Sequence, residues 1–236
     1  MSNHPKVKKN VKRYETADRL LHWAVALGCV LALISGYLIF FEGTSSLLDH
    51  AAGMTLRIVH RIGALLFVIA PILYFIFSKK RFGFLTAFKY DKSDLGWLKA
   101  APNHYFVGGD LPPQGKYNTG QKVYYLFAVV MGIILTLTGF AMWFGLFSGR
   151  MGMVMIVLHD LSALALGLFF VVHVYLAAIH PRENISLNAM VTGYMDREYA
   201  EHGHEIWFKE MVELEKLEEE KKKKLEKQIA TKKKGL

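Results

Sequence analysis

The amino-acid sequence predicts an all-α membrane protein: a four-transmembrane-helix bundle, both termini inside (N-in/C-in), with a cytoplasmic helical C-terminal extension. Three observations predict it. Hydrophobic residues make up 53% of the 236 residues, high for a water-soluble domain but ordinary for a small helical membrane protein. Four apolar runs each come close to the ~20 residues that cross ~30 Å of hydrocarbon. The basic residues fall on alternate loops, as the positive-inside rule asks of a chain that crosses four times.

The N-terminal arm, 1–19, carries Lys6, Lys8, Lys9, Lys12, Arg13 and Arg19, which places it on the cytoplasmic side. The first span, 20–41, has no small-residue cleavage site and reads as a retained anchor. It contains Cys29, the single cysteine, so no intramolecular disulfide is expected, and there is no C-x-x-C-H for covalent haem attachment. The second span, 58–77, opens on polar residues (Arg57, His60, Arg61) and holds Pro71, which a membrane helix tolerates with a kink. The loop 78–120 returns to basic character with Lys79, Lys80, Arg81, Lys89, Lys92, Lys99 and Lys116, so it is inside. It is too long for a simple connector and contains "LPPQGKYNTGQK", rich in turn formers. The third and fourth spans are 122–146 and 153–179. The outer loops, 42–56 and 147–152, hold only Arg150 among Lys and Arg, apart from the Arg57 that borders the second span. The net charge of +9 is thus a topology signal, not a nucleic-acid surface. Beyond Pro181 the chain leaves the membrane in a segment of helical spacing, and its last stretch, "EKLEEEKKKKLEKQIATKKKGL", reads as a solvated, frayed helix or tail. Three regions follow: the arm 1–19, a membrane domain 20–180 that includes the loop 78–120, and a cytoplasmic extension 181–236.

Ten histidines need sorting. His4, His202 and His204 lie in polar termini and His50 and His104 in loops, where solvent-exposed imidazoles are expected. His180 precedes Pro181 at the inner boundary and needs no ligand role. His22, His60, His159 and His173 lie at or within the spans, and an imidazole at membrane depth is costly unless it serves a bundle interior or a cofactor. His159 and His173 are fourteen residues apart, so they share one helix face about 21 Å apart along the axis. Following the direction of each span, His60 and His159 lie towards the outer surface and His22 and His173 towards the inner one. Each pair joins different helices, as a haem sandwiched between two imidazoles requires. A zinc transporter would instead want about four converging ligands, often helical i, i+4 neighbours, and layered pairs do not supply them.

Other features fit this reading without deciding it. A porphyrin between helices needs missing side chains, and Gly36, Gly132, Gly139 and Gly167 lie on suitable faces, although close helix packing through small residues explains them equally. Arg19, Arg57 and Arg61 sit where haem propionates could pair with them, and also where topology anchors belong. Asp160, next to His159, is a hydrogen-bonding or proton-relaying group or an interfacial acid.

From about Arg13 to Glu210 the chain resembles the gamma subunit of membrane-bound formate dehydrogenase, a four-helix, di-haem cytochrome b. The resemblance is carried by "DRLLHW", "RIVH", "GKYNTGQK", the paired histidines of the fourth span and "MVTGYMDREYAEHGHEIWFKEM". It implies two haem b groups: one with His60 and His159 as axial iron ligands, the other with His22 and His173. It also implies a site for menaquinone or another quinone beside the inner haem, formed by Asn118, Gly120 and Gln121 with His173 close by. Amide groups donate hydrogen bonds to a quinone carbonyl and glycine admits close approach. Read by itself, "YNTGQK" is a turn that caps the third span through Asn118 or Thr119.

The implied role is an electron-transfer subunit that does not itself oxidise formate. It would take electrons from an iron–sulfur partner, served by a molybdenum- or tungsten-pterin catalytic subunit, and reduce quinone in the prokaryotic cytoplasmic membrane during anaerobic respiration. The whole complex could form a higher oligomer, and no nucleic-acid partner is expected. The rival readings are the cytochrome b of a hydrogenase or other quinone-linked oxidoreductase, a haem-free anchor and a metal-ion transporter.

Overall fold

The computed structural model describes residues 9–41, 50–79 and 82–234. The readings of His4, of the His50 side chain, of Lys6, Lys8, Lys80 and Arg81, and of the loop 42–49 lie outside the described residues. Four helices are long and apolar enough to cross a membrane. They are α1 (Thr16–Phe40), α2 (His50–Phe77), α4 (Thr119–Trp143) and α5 (Gly149–Val174), the last prolonged by a π turn over Tyr175–Ile179. Between α2 and α4 lie a 3-10 turn (Gly83–Phe88) and α3 (Lys92–Phe106). After α5 come α6 (Ser186–Thr192), α7 (Arg197–Gly203) and α8 (Glu205–Lys234).

Every spanning helix begins before the apolar run that announced it, because hydropathy marks hydrocarbon whereas a helix also includes its polar capping turn. At α1, Glu15 N–H donates to Asp18 Oδ2 at 3.0 Å in a capping box, so the polar turn 16–19 is already helical. The difference is largest at α2, which starts eight residues ahead of Ile58. The long C-terminal charge run is helical through Lys234. One feature has no counterpart in the expected all-α fold. Strands β1 (Asn10–Lys12) and β2 (Tyr194–Asp196) pair. The bond from Arg13 N–H to Gly193 O (2.9 Å) makes the ribbon's last rung.

The chain divides into two compact units. One comprises residues 10–88 and 123–195 and contains the helical bundle. Here α1 and α2 cross backbone to backbone: a Cβ on Gly28 would lie 2.7 Å from Gly63 O. Tyr74 Oη donates to Asp18 Oδ1 at 2.6 Å, and Phe127 of α4 stacks on Phe169 of α5 at 4.0 Å between ring centres. The outward faces carry exposed Leu20, Leu27, Ile34, Leu161, Leu164 and Leu168, the apolar surface that lipid covers. Beneath α1, Arg19 Nη1 and Trp23 Nε1 donate to the carbonyls of Val191 (2.6 Å) and Met190 (3.2 Å). Gly193 ends α6 at φ +90°, where only glycine is comfortable.

The other unit comprises Lys9, 89–122 and 196–234 of the described residues. Its core includes Trp97, Ala101, Ala200, His204 and Phe208. Asp196 caps α7 by accepting from Glu198 and Tyr199 N–H, and the Arg197 guanidinium lies 5.0 Å over the Phe208 ring.

Candidate functional site

The bundle brings the four membrane histidines together as two pairs. His60 of α2 faces His159 of α5 with ring centres 6.1 Å apart, and His22 of α1 faces His173 of α5 at 6.3 Å. A metal–imidazole bond of about 2 Å, with the ring centre roughly 1.1 Å further back, holds two axial imidazoles about 6.2 Å apart. Both pairs therefore have the spacing of an iron sandwich. Among the described residues no group of three or more His, Cys, Asp or Glu converges to hold an ion.

The upper pair has its tautomers determined by neighbours. His60 Nδ1 lies 2.9 Å from Ala32 O, and a carbonyl can only accept, so Nδ1 carries the proton and Nε2 keeps its lone pair. Ser35 Oγ stands 3.3 Å from the same nitrogen. His159 Nδ1 lies 2.9 Å from Thr138 Oγ1, whose own hydrogen goes to Ile134 O at 2.7 Å, so the hydroxyl accepts from the imidazole. Such contacts fix ring orientation and raise ligand basicity. At the His22–His173 pair, His173 stacks on Tyr124 at 4.5 Å and 8°, and His22 Nδ1 is buried with no hydrogen-bond partner among the described residues.

The glycines divide. A Cβ on Gly36 would lie 3.2 Å from His60 Cε1 and one on Gly139 3.2 Å from His159 Cε1, so both clear space for the upper imidazoles. Gly132 and Gly167 instead admit the side chains of Phe67 and Tyr37. Arg19 is engaged by Val191 O and by Thr16 Oγ1, and Arg61 lies 5.0 Å over the Trp143 ring. Asp160 is half-buried.

Asn118 and Gln121 meet at the start of α4. Asn118 N–H donates to Gln121 Oε1 (3.1 Å) and Gln121 N–H to Asn118 Oδ1 (2.9 Å), a reciprocal cap that spends both side-chain oxygens as acceptors. Asn118 is the cap, and Thr119 is the first helical residue. Gly120 has the indole of Trp97 against it: a Cβ there would lie 2.7 Å from Cη2. His173 belongs to the other compact unit.

Residues 13–193 match the sequence profile of the family described as prokaryotic cytochrome b561. The chain belongs to the prokaryotic cytochrome b561 family. Family membership implies haem b in an integral membrane protein of prokaryotes. The chain is 26% identical over 212 residues to the formate dehydrogenase cytochrome b556(fdo) subunit of Escherichia coli strain K12, covering 87% of the present chain and 95% of that protein. It is 26% identical over 222 residues to the formate dehydrogenase cytochrome b556 subunit of Haemophilus influenzae, with 88% and 86% covered. The same identity holds over 217 residues with the nitrate-inducible formate dehydrogenase cytochrome b556(Fdn) subunit of Escherichia coli strain K12, with 88% and 94% covered.

Several residues around the histidines carry no mark in the sequence. Ser35, Thr138 and Tyr124 flank the histidines, yet a lone hydroxyl or aromatic in an apolar run gives no signal of its own. Asp94 carries no motif that would single it out in the sequence. It is buried, and it receives Lys122 Nζ on both oxygens (2.9 and 3.0 Å), Thr119 Oγ1 at 2.6 Å and Asp91 N–H at 2.7 Å. Burial alone would raise its carboxyl pKa, but the bonds from Thr119, the Asp91 backbone and Lys122 hold it below the ordinary value. Two histidines correct the solvent-exposed expectation. His204 is 1% exposed and its Nδ1 donates to Gly115 O at 2.8 Å, because α7 and α8 fold over the 111–118 loop. His104 is half-buried, with Nδ1 donating to Gly109 O at 2.7 Å. His202 is exposed as expected.

Proposed function

We infer that the chain is the membrane cytochrome b subunit of a formate dehydrogenase complex. On this reading it passes electrons from an iron–sulfur subunit, itself served by a pterin-bound molybdenum or tungsten catalytic subunit, to menaquinone or another quinone at the cytoplasmic side. The observation that carries the reading is the pair of imidazole couples at iron-sandwich spacing, two layers deep in one bundle. The formate dehydrogenase names of its relatives support the choice of partner.

Each bound haem would supply a one-electron iron couple. The chain's own residues set the conditions for it. His60 and His159 present Nε2 lone pairs because Ala32 O and Thr138 Oγ1 hold their Nδ1 protons. His22 and His173 form the second couple, with Tyr124 stacked on the His173 ring. The amide groups of Asn118 and Gln121, whose oxygens are taken up by the cap, would donate to a quinone carbonyl, and Gly120 admits the Trp97 indole beside them. The basic N-terminal arm and the 78–120 loop keep both termini in the cytoplasm, with 20–180 the di-haem domain and 181–236 the extension that docks partners.

The test is a dithionite-reduced minus oxidised spectrum of the purified complex, with haem quantified per chain. Two b-type haems per polypeptide and co-purification of a formate-oxidising subunit are expected. A haem-free protein from haem-replete cells would overturn the reading, and a different dehydrogenase in the complex would reassign the partner.

A further inference from the structure

At the start of α4 most acceptors are already consumed. Both Asp94 oxygens take hydrogen bonds from Lys122, Thr119 and the Asp91 backbone. Gln114 Oε1 receives Thr119 N–H at 2.8 Å, and the Asn118 and Gln121 oxygens close the cap. A buried donor lies beside them. Trp97, three residues after Asp94 on the same face of α3, is 4% exposed, and its Nε1–H is buried with no acceptor among the described residues. A buried unpaired N–H is costly, and native structures seldom tolerate one without a reason.

Its position supplies the reason. Trp97 Cη2 and Cζ2 and the Asn118 oxygen all lie within 3.5 Å of the point a Gly120 Cβ would occupy. Nε1 lies on the same edge of the indole as Cζ2, so the N–H belongs to the edge that approaches Gly120 and the amide cap. Glycine at 120 is what lets that edge in. The Asp94–Lys122 ion pair is internally neutralised, so the buried donor meets no net charge and suits the carbonyl oxygen of a neutral ligand.

We propose that the Trp97 indole N–H is a further donor to the quinone carbonyl, acting with the Asn118 and Gln121 amides. The proposal rests on the quinone reading above and adds a binding residue to it. The indole also sets specificity, since it demands an acceptor at the head group.

The test uses the whole complex, with formate as donor and a water-soluble naphthoquinone as acceptor. Trp97→Phe keeps an aromatic ring and removes the N–H. KM for the naphthoquinone is expected to rise about tenfold, while haem content and formate-driven dye reduction ahead of the haems stay unchanged. A KM within twofold of the unaltered complex, with Asn118→Ala still raising it, would reject the indole and leave the quinone site standing. No change in either variant would remove both. Should Trp97→Phe fail to assemble, ultraviolet resonance Raman of the unaltered complex decides. Naphthoquinone should shift the indole band that reports N–H hydrogen bonding, and a band already at its bonded position before addition would mean that an ordered water, not quinone, is the acceptor.

Discussion

At His159 the imidazole is held by a hydroxyl whose own hydrogen is committed to Ile134 O, so the ring must donate from Nδ1. That donation pushes electron density towards Nε2 and would favour the oxidised state of a haem iron held there. Thr138→Val should therefore keep haem bound and raise the midpoint potential of that pair, by on the order of tens of millivolts, as read by redox titration of the difference spectrum. The two histidines near the other end separate by the same reasoning. His173 faces His22, whereas His180 has its Nδ1 satisfied by Arg182 N–H (3.3 Å) and its ring edge on Tyr175 (5.7 Å). His173→Ala is expected to abolish one haem and quinone reduction, and His180→Ala to leave both. Retained absorbance of two haems in His173→Ala would reject the assignment.

Among the elements, the first turn of α4 depends on α3. Asp94 and Lys122 have side chains only 6% and 8% exposed, so removing one partner strands the other. Asp94→Ala should cost about 3–5 kcal/mol, visible as a lower unfolding midpoint, whereas replacing both partners with apolar residues of matched volume should cost much less. The pH dependence has a definite sign. The folded pKa of Asp94 lies below the 3.8 of a free aspartate, so its stabilisation is complete above that value and lost as pH falls through the folded one. Thermal melts of the unaltered complex should therefore drop more steeply below about pH 4 than those of Asp94→Asn.

For the whole molecule, the distribution of Lys and Arg makes a claim about sidedness that helix packing does not test. A green fluorescent protein fused after Leu236 should fluoresce, and alkaline phosphatase inserted in the loop 147–152 should be active. The reverse pattern would invert the bundle. Apolar residues such as Leu20, Leu27 and Ile34 stay exposed along the spans, which ties stability of the isolated bundle to lipid or detergent. The four spans were legible because crossing hydrocarbon demands long unbroken apolar runs, a demand every residue of the run records. The cap of α4 was legible too, in Asn118 and Thr119 ahead of the third apolar run, but the start of α2 was not, since 50–57 mixes small, apolar and polar residues with no capping motif.

The sequence by itself determined the four membrane helices, the family resemblance and the layering of His22, His60, His159 and His173, because helix rise and span direction convert position into depth. Only the tertiary structure decided which neighbours serve those rings. Ala32 O, Thr138 and Tyr124 reach them from other helices, and no local pattern encodes a contact made across a bundle. The same holds for His204, expected to be exposed from its polar surroundings but buried against Gly115 O, and for Asp94, unmarked in the sequence but buried on Lys122. Composition describes a residue's neighbours in sequence, whereas burial and hydrogen bonding are set by its neighbours in space.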